Sequence, residues 1–166
     1  MTLIVETGTG SSTSEAYISV ADADTFFSNR GLTLWATMST AEKEQALRRA
    51  TDYLEFTYRT RWKGTQLSTT QSLSWPRLNV PQVNGVSLYS SATIPPEVIK
   101  ANVELAFRAA GGELLGDVGI PVLSETVGPI SVTYDRAAVR VKRYPVIDRL
   151  LSPLLVGMGN SPILRS

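Results

Sequence analysis

Residues 39–59 read STAEKEQALRRATDYLEFTYR. Ser39-x-x-Glu42 has the form of a capping box, in which the serine takes a free backbone N–H and the glutamate reaches back to the serine's own N–H. Leu47, Ala50, Leu54 and Tyr58 recur at i, i+3, i+7 and i+11, the apolar stripe of an amphipathic helix. Glu44/Arg48 and Glu55/Arg59 are i,i+4 pairs with the acid first, the better order. The spacing predicts a helix over 40–58, and a long amphipathic helix needs other elements to cover its stripe.

Those elements lie on both sides. Upstream, in YISVADADTFFSNRG (17–31), Ser19 can cap, Gly31 can close, and Val20, Ala23, Phe26 and Phe27 fall at helical spacing, which predicts a short helix over 20–30. Downstream, IPPEVIKANVELAFRAAGG (94–112) opens on prolines and ends on glycines, predicting a helix near 96–110. Its charges, Glu97, Lys100, Glu104 and Arg108, form one narrow stripe, so most of its circumference must be covered. Residues 6–14, ETGTGSSTS, have the chemistry of a loop or arm. Residues 64–93 read as a long internal loop, with Asn84-Gly85 suiting a turn inside a small hairpin. GPISVTYD (128–135) alternates as a strand that can pair with VRVKR (139–143). YPVIDRLLSPLLV (144–156) opens a helix at Pro145 and interrupts it at Pro153. The expected fold is mainly α: a small bundle of three to four helices with a minor β-hairpin and a long internal loop. We expect one domain over 1–156, with an N-terminal arm (1–18), and a flexible tail over 157–166.

Composition narrows the function. A chain of 166 residues suits one domain, and a net charge of +1 makes it no polycation, so any grip on nucleic acid must come from a local patch or from repeated copies. With no cysteine and no histidine, disulfides, thiolate nucleophiles, Cys/His metal sites and the commonest general base are excluded. No carboxylates fall in a catalytic or metal-binding pattern. GTGSS (8–12) lacks the lysine of a phosphate-binding loop, and no serine stands in a nucleophile elbow. We expect no enzyme and no cofactor. MTLIV is followed by Glu6 without a basic region and does not read as a signal peptide, and no apolar run approaches a membrane span.

Two stretches remain. RTRWKGTQLSTTQSLSWPR (59–77) carries two tryptophans and four cations with no acid between them. Arg59, Arg61, Lys63 and Arg77 with Trp62 resemble the cation-plus-aromatic chemistry of a single-strand groove. The same residues also suit a brace in which Trp62 and Trp75 pin the long loop, and the sequence favours the brace. At the other end, Leu150, Leu151, Leu154, Leu155 and Ile163 are too apolar for a free tail. They either complete the domain's own core or form an interface.

In order and spacing, AYISVADADTFFSNRG, Trp35, STAEKEQALRRATDYLE, RWKG, QSLSWPR, IPPEVIKANVELA and VGPISVTYD resemble a family of tailed-phage proteins named for DnaT-like single-stranded DNA binding, over roughly residues 4–155. That family in turn looks like the head–tail connector adaptors. The resemblance implies a structural virion protein of the phage neck, made in the host cytoplasm. It would form a homo-oligomeric ring, a dodecamer, and would bind the portal and a downstream neck or tail protein. DNA would pass through it non-specifically, with no membrane involved. Arg59, Arg61, Trp62, Lys63 and Arg77 would then face the channel or a neighbouring subunit. Leu150, Leu151, Leu154, Leu155 and Ile163 would dock on the portal or a neighbour, and deleting 153–166 would leave a folded domain. The alternative is a single-stranded DNA-binding protein of replication.

Overall fold

The structure, a computed structural model, describes residues 2–82, 87–115, 124–127, 130–133 and 142–157. Among them, α1 spans Val20–Ser28, α2 Thr33–Ala36, α3 Thr40–Tyr58, α4 Pro96–Ala110 and α5 Pro145–Leu151, the last running into a 3-10 turn at Ser152–Leu154. Strands β1 (Thr65–Gln66) and β2 (Arg77–Leu78) pair antiparallel, as do β3 (Ser124–Val127) and β4 (Ile130–Thr133). The protein is mainly helical with minor hairpins, as the periodicities predict.

Local chemistry sets the helix ends. The Ser39 N–H donates to Glu42 Oε2 at 2.7 Å and the Glu42 N–H to Ser39 Oγ at 3.4 Å, which closes the capping box of α3. Ser19 caps α1 by accepting from the Asp22 N–H at 3.1 Å. Pro96 opens α4, where its missing N–H costs nothing. The four-residue α2 has no period to announce it. It is held by its tryptophan: the Trp35 indole N–H donates to Asp24 of α1 at 2.7 Å, and Lys43 of α3 pairs with the same carboxylate at 2.9 Å.

The core forms where α3 lies along α4, with α1 on α3 and α5 on α4. Leu47, Ala50, Leu54 and Tyr58 are fully buried, as the stripe requires, and so are Val98, Ala101, Leu105 and Ala106 of α4. One polar group is built into this contact. Asn102, with no exposed surface, donates to Thr51 Oγ1 (3.0 Å) and the Leu47 carbonyl (3.4 Å), and accepts from the Tyr17 N–H (3.3 Å). A buried amide is tolerated only when so satisfied.

The N-terminal segment is not a free arm. Leu3, Ala16, Tyr17 and Ile18 are buried, and the Glu6 N–H donates to the Ala16 carbonyl at 2.8 Å. The intervening residues curl around a carboxylate. Glu6 accepts from the N–H groups of Gly8 (2.8 Å), Thr9 (2.7 Å), Gly10 (3.0 Å) and Ser11 (2.9 Å), and from the Ser14 hydroxyl (3.0 Å). Burial pushes the Glu6 carboxyl up, but the hydrogen bonds from Ser14, Ser11, Gly10 and Gly8 together outweigh it and hold the group below its ordinary value. Gly8, at φ +101°, is required: a β-carbon there would meet the Ala92 carbonyl oxygen at 2.0 Å.

The long loop is tied down as well. Ser72 donates to the Ser14 carbonyl (2.7 Å), and the Ser74 hydroxyl donates to Glu55 (2.6 Å). Glu55 is thereby engaged by the loop rather than by Arg59. Gln82 N–H donates to the Ser87 carbonyl (2.8 Å) and Tyr89 N–H to the Val80 carbonyl (2.9 Å), the flanks of a small hairpin. The Asn84-Gly85 turn and most of VRVKR lie outside the described residues, and β4 pairs with 124–127.

Candidate nucleic-acid interface

α3 ends at Tyr58, and the Arg61 N–H donates back to the Tyr58 carbonyl at 2.8 Å, turning the chain. From there residues 61–63 run antiparallel to 154–156. Lys63 N–H donates to the Leu154 carbonyl (2.9 Å), Val156 N–H donates to the Arg61 carbonyl (2.7 Å), and Trp62 bridges to Leu155. Extended residues alternate faces, so the indole goes inward. Trp62 is 4 % exposed, 5.9 Å from the Tyr58 ring and 5.6 Å edge-on to Trp75. It braces the core and offers no face to a base.

The other residues of this stretch divide. Arg77 is buried, and its guanidinium is spent on the carbonyls of Lys63 (2.8 Å), Gly64 (2.7 Å) and Ser74 (3.2 Å), so it holds the loop and reaches no partner. Lys63 Nζ donates to the Pro153 carbonyl at 2.8 Å. Arg59 is exposed. Arg61 is half-buried and lines a cleft of about 330 Å³ together with Arg143, Asp148, Ser152, Leu155, Val156 and Gly157.

Among the described residues, two cations and one acid face this cleft. Asp148 already accepts from the Tyr58 hydroxyl at 2.8 Å. Burial and that bond push the Tyr58 phenol far above its ordinary value, so it remains the donor. Arg61 Nε is buried without a hydrogen-bond partner, and no carboxylate pairs with Arg61 or Arg143 among the described residues. A buried guanidinium N–H left unmatched is costly, and the group that would satisfy it best is an anion of matching geometry, a phosphate or carboxylate.

Most of the described C-terminal leucines pack inward. Leu151 and Leu154 have no exposed surface and Leu155 has 4 %, while Leu150 is half-buried. Ile163 lies outside the described residues. Leu151, Leu154 and Leu155 complete the domain's own core beside residues 61–63, the first of the two roles the sequence left open for them.

Sequence reasoning passed over two residues here. Arg143 ends a stretch read for its strand alternation, and only the return of the C-terminal segment brings it beside Arg61. Phe56 stands outside the apolar stripe of α3 and is 69 % exposed. Its signal was available: at about 100° per residue it lies about 180° around the helix from Leu47.

A family model described as "Putative DnaT-like ssDNA binding protein" matches residues 1–166. The chain belongs to this DnaT-like family. No curated protein and no solved structure matches it. The family match corrects the reading of the chain as a head–tail connector ring of the virion neck. The matching family is described by single-stranded DNA binding, and neither a portal nor a tail protein enters that description. Among the described residues no helix is long and apolar enough to cross a membrane, and no cluster of three or more acidic side chains is placed to hold a metal ion.

Proposed function

We propose that this DnaT-like protein binds single-stranded DNA through its phosphates, without catalysis. The cleft between the end of α3 and the α5 segment carries the reading. Among the described residues it presents two arginines, one with a buried unmatched N–H, against a single acid already engaged by Tyr58. Exposed Arg59 and Arg149 extend the positive surface on the two elements that flank it. Arginine suits this task because its planar fork meets phosphate oxygens pairwise. A net charge of +1 means that the attraction is local, so binding should be modest and should weaken steeply with salt. Fluorescence anisotropy of a labelled oligodeoxythymidylate tests this. We expect binding at low salt, competed better by unlabelled single strand than by duplex. No binding at low salt, or equal competition by duplex, would overturn the reading.

A further inference from the structure

The structure assigns a base-stacking site to Phe56, an inference that rests on the single-strand reading. Of the large apolar side chains with described surroundings, Phe56 is the most exposed, at 69 %. A lone exposed apolar residue needs no explanation in general, but the setting of this one is specific. The solvent face of α3 carries Gln45, Arg49, Asp52, Phe56 and Arg59, all exposed. Arg59 lies three residues on and Arg49 seven residues back, positions that share a helix face with the ring. Asp52, one turn back, is an acid on this face, and Glu113 lines a cleft with it and Arg49.

Among the described residues the ring's neighbours along its helix face are polar, a poor seed for a protein interface, whose buried centre gathers several apolar groups. The ring is well suited to a nucleobase. The base covers the ring while its own phosphates reach the flanking guanidinium groups, the pairing of stacking and charge that single-strand grooves use. Arg59 also stands between Phe56 and Arg61 in the chain. Trp62 and Trp75, the aromatics that the composition singles out, are both buried and cannot serve.

Phe56→Ala tests the site, because an exposed side chain can be truncated with little effect on the fold. We expect affinity for oligodeoxythymidylate to fall roughly 5- to 150-fold, with the salt slope unchanged because no charge is lost. Phe56→Trp should retain binding and add fluorescence that the single strand quenches, read as the difference from the wild type. Leu34→Ala, at a residue 60 % exposed on α2, should change neither. If the wild type binds and Phe56→Ala binds equally well, the stacking site is overturned while the single-strand reading stands. If the wild type does not bind, the single-strand reading itself fails. If Phe56→Ala alters the mass of the free protein in sedimentation, the ring is a subunit contact and the inference is overturned.

Discussion

Trp62 is where composition and burial diverge. Cations alternating with an indole look alike whether the ring faces a base or the core, and only pairing with residues 154–156 decides which. Truncating a fully packed tryptophan costs about 3–5 kcal/mol, so Trp62→Ala should lower the urea midpoint substantially. Full stability with lost DNA binding would return the ring to the interface. Glu6 makes a different prediction. Its folded carboxyl titrates below the ordinary 4.5, so its contribution is complete above that value and is lost as pH falls through the folded one. Glu6→Gln should therefore be less stable than the wild type at pH 7, with the gap in urea midpoint closing below pH 4.5. A gap independent of pH would mean that the loop does not depend on the charge. Neither the Glu6 loop nor the Asn102 bridge was legible beforehand, because backbone N–H groups and partners dozens of residues away leave no local pattern.

Among the elements, those with local punctuation were legible. α3 and α4 keep the limits set by Ser39, Pro96 and Gly111, because caps and helix breakers act within a turn of where they stand. α2 was missed because four residues carry no period. The fate of the C-terminal segment was open because an apolar run looks the same in a core and at an interface. The structure buries Leu154 and Leu155 and joins their backbone to residues 61–63. Each buried leucine is worth roughly 1.5–3 kcal/mol, against a total stability of about 5–15 kcal/mol. A chain ending at Ser152 should thus lose much of its stability, with an early thermal transition by circular dichroism. A truncated domain as stable as the whole chain would contradict the packing described here.

For the molecule as a whole, the helical class was legible and the site only in part. Arg59 and Arg61 stood out in the sequence, but Arg143 joins Arg61 only through a contact between chain segments about ninety residues apart, and Phe56 was hidden by the stripe opposite it. The connector reading rested on an extended resemblance, and the match to a family described as "Putative DnaT-like ssDNA binding protein" overturns it. The central claim is that phosphates are held by the Arg61–Arg143 cleft on a protein with almost no net charge. The direct test is the salt dependence of single-strand affinity for the wild type and for Arg61→Gln/Arg143→Gln. Each phosphate contact contributes a slope of about 0.7 in log affinity against log salt, so the double variant should bind more weakly at low salt and lose about 1.4 from the slope. Equal affinity and an equal slope would show that the cleft holds no phosphate.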